Sequence, residues 1–126
     1  MPATPSADLP QFGVSSERGP EDVCVVRVVG EVDMSHEEEL RAELRRAVES
    51  EAPGIVVDLT ECQFIDSSAV RALLISREAQ HADDGPERLA VAASSEQILR
   101  IVSVMGLDKV IPIRPTVEEA AAALPD

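Results

Sequence analysis

Seven residues, Val23-Cys24-Val25-Val26-Arg27-Val28-Val29, form a β-branched run that Gly30 closes. A strand wetted on one face alternates apolar with polar positions. This run is apolar almost throughout, which is the pattern of a strand covered on both faces. Covering both faces takes helices, and from Val23 onward the chain alternates strand-like with helix-like periodicity. That alternation predicts an α/β fold with one sheet and helices packed over it.

Ser35 is placed to cap the first helix, with Glu38 three residues on at capping-box spacing. Glu37, Glu38 and Glu39 crowd the first turn, where the helix dipole favours acids. Leu40, Leu44, Ala47 and Val48 share the inner face, Glu37 and Arg41 pair on the solvated one, and Pro53-Gly54 ends the segment. Ile55-Val56-Val57-Asp58-Leu59 is a short buried-type strand. After the polar Thr60-Glu61, Phe64-Ile65-Asp66-Ser67-Ser68 leads into a helix whose inner face holds Val70, Leu73 and Leu74. A turn at 83–86 precedes a strand, Leu89-Ala90-Val91-Ala92. Ile98, Ile101, Val102 and Met105 form a helix stripe stopped by Gly106, and Val110-Ile111-Pro112-Ile113 is a stub strand. Thr116, with Glu119 three residues on, caps a last helix. Upstream, Gln11-Phe12-Gly13-Val14-Ser15-Ser16 reads as an edge strand joined through Arg18-Gly19-Pro20. Residues 1–10, with three prolines, are expected to be a disordered leader, and 11–126 the folded domain.

Asp and Glu number 24 against 11 Lys and Arg, a net charge of -13, so a positive stripe for phosphate backbones is hard to build and no nucleic-acid partner is expected. Phe12 and Phe64 are the only Phe, Tyr or Trp residues, which removes stacking platforms for bases or sugars. No apolar run reaches the length of a membrane span, and Met1-Pro-Ala-Thr-Pro lacks the basic and apolar regions of a signal peptide. A cytoplasmic protein without a membrane partner is expected. Cys24 and Cys62 lie in apolar segments with no CxxC and no His at ligand spacing, so the reading is of buried, reduced thiols and no metal site.

Catalytic constellations fail one by one. G-x-S-x-G is absent, and neither His36, at a helix start, nor His81, before a turn, lies near such an elbow. Neither G-x-x-x-x-G-K-[ST] nor G-x-G-x-x-G occurs. The carboxylates fall mostly in helix first turns, where a solvated face is their ordinary role. No enzyme activity and no cofactor are expected; a small hydrolase using Ser67 or Ser68 is the weakest reading, for want of a histidine base. What remains is Asp66-Ser67-Ser68. Asp and Ser are ordinary N-cap residues that accept hydrogen bonds from the free amides of a first turn. One of them suffices for capping, and a second hydroxyl there is also a good place for a phosphate of charge about -1.5 to -2.

In their order along the chain, these segments resemble the STAS domain of bacterial anti-sigma-factor antagonists. Gly30-Glu31-Val32-Asp33, followed by a capped helix with Glu39-Leu40, is similar to the family's G-E-[LV]-D segment. Val57-Asp58-Leu59-Thr60 and Phe64-Ile65-Asp66-Ser67-Ser68 are similar to its D-L-[ST] strand and D-S-S-G-[LV] turn. Met105-Gly106-Leu107-Asp108 and Pro115-Thr116-Val117-Glu118-Glu119-Ala120 are similar to its closing G-L-D and P-[TS]-x-x-E-A segments. The resemblance spans most of the chain, from Val25 to Leu124. Ala69 stands where the family pattern has Gly, Arg71 adds a positive charge one turn into the helix, and Ala92-Ala93-Ser94-Ser95 is plainer than the family norm.

The resemblance implies a single small STAS-like α/β domain, with one mixed sheet of about four to five strands and about four helices packed over it. It implies a non-enzymatic protein that binds an anti-sigma factor, itself a serine kinase, and that is switched off by phosphorylation at Ser67. ATP and magnesium then belong to the kinase. Asp33, Asp66 and Ser68 are the expected partner contacts; Asp33 matches a family acid near the phosphosite and reads equally well as a turn residue. Arg71 is open between a partner for phosphate or acid and a plain exposed arginine. The alternative is an unphosphorylated STAS subunit of a larger assembly, such as a phospholipid-transport complex or a signalling scaffold. A homodimer is left open.

Overall fold

The computed structural model describes residues 12–80 and 87–125; the expected leader at 1–10, His81 and the turn at 83–86 lie outside them. Five strands form one sheet in chain order: β1 (Gly13–Arg18), β2 (Cys24–Val32), β3 (Ile55–Ile65), β4 (Leu89–Ala92) and β5 (Ile113–Arg114). The α-helices among the described residues are α1 (Glu37–Glu49), α2 (Ser67–Gln80), α3 (Glu96–Val104) and α4 (Val117–Ala122). β1 is antiparallel to β2, and β2 through β5 are parallel, so the sheet is mixed. The α/β architecture is the one expected.

Alternate residues of β2 enter two different cores. Val26 and Val28, with Val57 and Leu59 of β3, meet Leu40, Leu44 and Ala47 of α1, Val70 and Leu73 of α2, and Ile98 and Val102 of α3. Val25, with Val56, Ala90 and Ala92, meets Ala120, Ala121 and Leu124 at the α4 end of the chain. This two-sided burial is why the run is continuously apolar, each fully buried Val or Leu contributing about 1.5–3 kcal/mol.

Element boundaries differ from expectation for identifiable reasons. β3 does not stop at Leu59; it continues to Ile65 because β2 offers it partners as far as Val32. Polar residues are tolerated there because β4 pairs with β3 only up to Asp58. Asp58 Oδ1 accepts from the Thr60 amide at 3.0 Å and its hydroxyl at 2.7 Å, and Glu61 pairs with Arg27. Two register shifts absorb the extra residues of β3, and at the second Gly30 takes φ +88°, a conformation glycine reaches at little cost.

The helix after β2 is not capped by Ser35. Asp33 caps a short 3-10 turn, Met34–His36, that runs into α1, and the Ser35 hydroxyl donates to Asp33 Oδ1 at 2.6 Å. α2 begins at Ser67, ahead of Val70, because Asp66 is its cap. β1 is offset to Gly13–Arg18, and the last strand is Ile113–Arg114, after a 3-10 turn at Leu107–Lys109. Thr116 caps α4 as expected, accepting from the Glu119 amide at 3.1 Å. Both thiols are free; Cys62 is buried, whereas Cys24, opposite Arg18 on the edge strand, is only half-buried. Burial pushes both thiols up.

Candidate functional site

β2 and β3 end side by side. Val32 pairs with Ile65, so Asp33 and Asp66 are the next residues on two neighbouring parallel strands, at the carboxyl edge where open α/β sheets place their sites. Asp66 Oδ1 accepts from the amides of Ser68 (3.1 Å) and Ala69 (3.2 Å), satisfying two of the free donors of α2. The same oxygen accepts the Ser68 hydroxyl at 2.7 Å. That bond resolves the two serines. Ser68 is turned inward, 8% exposed, with its hydroxyl held by Asp66, while Ser67 is exposed and its hydroxyl has no partner among the described residues.

Ala69, in place of the glycine of the resembled pattern, is 2% exposed and packs into the core beneath α1, α2 and α3. Its methyl group therefore does not obstruct the face on which Ser67 stands. Arg71 is exposed one turn further along α2.

Asp33 is exposed, and its role is local. Its carboxylate accepts from the Ser35 hydroxyl and from the Ser35 amide at 2.9 Å, with His36 Nδ1 at 3.3 Å. The Ser35 hydroxyl first, then the Ser35 amide and the charge of His36, hold the acid below its ordinary value of 3.8. A lowered acid adds stability above its unfolded value and loses it as pH falls through the folded one. Carbon-detected titration of Asp33 is accordingly expected to show a midpoint below the ordinary carboxylate range, raised by Ser35→Ala; equal midpoints in the two proteins contradict this account. The His36 ring stacks on Phe12, centroids 4.3 Å apart, which ties the chain ahead of β1 to this edge.

Two apolar side chains flank the acids, and the sequence did not mark them as exposed. Phe64 is 45% exposed and Met34 is 71% exposed. Gly30 pairs with Cys62 and Glu31 with Phe64, so Gln63 is the extra residue of a bulge that turns Phe64 outward instead of into the core. The run Gln63-Phe64-Ile65, in which only Ile65 is buried, is the one sign of this in the alternation. Phe64 and Ile65 form one wall of a groove of about 240 Å³ whose other wall is Gln97, Ile98, Arg100 and Ile101 of α3. A larger hollow of about 440 Å³, lined by Arg18, Cys24, Arg46 and Ser50 among others, lies at the opposite end of the sheet, where β2 begins. Among the described residues no three His, Cys, Asp or Glu side chains come together as metal ligands, and no helix is long and apolar enough to cross a membrane.

An exposed hydroxyl at a helix start, directly after one of two neighbouring strand-end acids, can accept a modification and meet a protein surface. Known structures share this fold. The structure of an anti-sigma factor antagonist from Mycobacterium paratuberculosis is 29% identical, with a TM-score of 0.77 over 98% of this chain and 99% of that one. The Bacillus cell fate determinant SpoIIAA in its phosphorylated form is 24% identical, with a TM-score of 0.64 over 87% of this chain and 97% of that one. An anti-sigma-factor antagonist (STAS) domain protein from Planctomyces limnophilus is 18% identical, with a TM-score of 0.70 over 87% and 95%. The profile of the STAS domain matches residues 16–120, from within β1 to within α4, and with that span covered the chain belongs to the STAS domain family.

Proposed function

We propose that this chain is an anti-sigma-factor antagonist that binds an anti-sigma factor with serine kinase activity and is switched off by phosphorylation at Ser67. The observation that carries the reading is the sorting of the two serines: Ser68 is buried and bonded to Asp66, and Ser67 faces solvent. Support also comes from the likeness to the Mycobacterium paratuberculosis antagonist over nearly the whole of both chains. The same fold is found in SpoIIAA in unphosphorylated and phosphorylated forms, with TM-scores of 0.66 and 0.64, so phosphate is compatible with it.

In this reading the partner surface is the carboxyl edge of β2 and β3. Asp33 and Asp66 supply charge at its rim, Met34 and Phe64 supply apolar area, and Ser68 acts from beneath by fixing Asp66. The kinase brings ATP and its own cations, which an acidic edge of this kind does not provide. Phosphopeptide mapping of the protein purified from its own cells tests the assignment. One phosphate on Ser67 is expected, absent from Ser67→Ala and present in Ser68→Ala. Phosphate that persists in Ser67→Ala and vanishes in Ser68→Ala refutes it.

A further inference from the structure

We propose that Arg71 is the built-in counter-charge for a phosphate on Ser67, a positioning residue that holds the modified side chain back along α2; this rests on the reading of Ser67 as acceptor. Ser67 is the first residue of α2 and Arg71 lies four residues on, so the two occupy one face of the helix a single turn apart, and both are exposed. Side chains of a helix lean toward its N-terminus, and a long one covers the turn preceding its own Cα. For Arg71 that turn is the one Ser67 opens.

The cation is free to do this. Arg18, Arg27, Arg41, Arg46 and Arg77 each hold a carboxylate, whereas Arg71 has no acidic partner among the described residues. Arg45, Arg88, Arg100 and Arg114 likewise have no ion pair among the described residues, but of these five arginines only Arg71 lies on α2, one turn from Ser67. A guanidinium binds phosphate through two parallel N–H···O bonds, a geometry that suits a dianion better than a lone carboxylate.

The other charges around Ser67 are accounted for. Asp66 precedes it with Oδ1 committed to the helix cap, and Asp33 and His36 stand at the end of β2. Arg100 faces Phe64 across the α3 groove, and Arg41, Arg45 and Glu49 of α1 meet α2 further along, beside Ile75, Ser76 and Ala79. The first turn of α2 carries no acid of its own. These surroundings are unchanged when Arg71 alone is replaced, so the difference between variants reports on Arg71.

The consequence is read in the second ionisation of the phosphate, ordinarily near pH 6. A cation one helical turn away favours the dianion and lowers that midpoint. Phosphoserine is placed at position 67 of the full chain during synthesis, independently of any kinase, and the phosphorus resonance is titrated. Arg71→Gln is expected to raise the midpoint by roughly half a unit, Arg71→Lys to restore part of it, and about 1 M salt to shrink the difference. Equal midpoints in the native and Arg71→Gln phosphoproteins, or an Arg71→Lys protein no different from Arg71→Gln, overturn the role of Arg71. A Ser67 that its own cells never phosphorylate is a separate result: it removes the functional reading and, with it, the purpose of the pair.

Discussion

Ser67→Asp is expected to bind the anti-sigma partner at least about tenfold more weakly than the native chain, and phosphoserine at the same position about a hundredfold or more. The folded domain holds the added charge at low cost, because Ser67 is exposed at the start of a helix whose amides and dipole favour an anion. A partner that covers this edge must strip water from that charge, and desolvation costs several kcal/mol per ion even where a counter-charge is present. Asp33 and Asp66 on the adjacent strand ends make the neighbourhood negative before any phosphate arrives. The loss is therefore one of local repulsion and desolvation, with no reshaping of the domain. Calorimetry gives the affinity, and the amide spectrum of Ser67→Asp should match the native one outside residues 64–74. Shifts that spread into α3, or binding as tight as native, would show the mechanism to be wrong.

The second large effect concerns stability. Asp66→Ala removes two amide caps from α2 and strands the inward-facing hydroxyl of Ser68 at once. Loss of an N-cap costs about 1–2 kcal/mol, and a buried hydroxyl left without its acceptor adds a further ~1 kcal/mol. The expected total of about 2–3 kcal/mol lowers the melting temperature by roughly 10 °C in a domain of this size. Asp66→Asn keeps an accepting oxygen and should recover most of the loss, while Ser67→Ala, which removes no bond seen among the described residues, should melt with the native protein. A melting temperature of Asp66→Ala within about 2 °C of native removes the capping account.

Sequence periodicity carried the architecture wherever burial alone decides structure. The two-faced core of β2, the Leu40, Leu44 and Ala47 face of α1 and the Thr116 cap of α4 are all written in local spacing. The length of β3 is not, because Thr60 through Ile65 are held in the strand by what β2 offers across the ladder, and propensity along the chain is silent about that. Asp33 and Ser35 have nearly the same capping chemistry two residues apart, and only the path of the chain leaving β2 selects between them. At the site, Asp66-Ser67-Ser68 stood out as a motif, yet which hydroxyl faces water is a matter of helix phase. Once Asp66 takes the cap, the first helical residue points out and the second points in. Phe64 was hidden by a bulge, which reverses the inward and outward alternation at the one place where the reversal creates a surface.

The sheet runs β1, β2, β3, β4, β5 in both space and chain order. No strand has to be threaded between two that are already paired, so during synthesis each new strand finds its one neighbour already outside the ribosome. The acids of residues 33 and 66 and the first turn of α2 precede β4, β5 and α4 along the chain. The edge proposed for regulation is thus encoded ahead of α4, which closes the opposite face of the sheet over Val25 and Val56. α4 therefore packs on the face of the sheet away from α2 and Ser67.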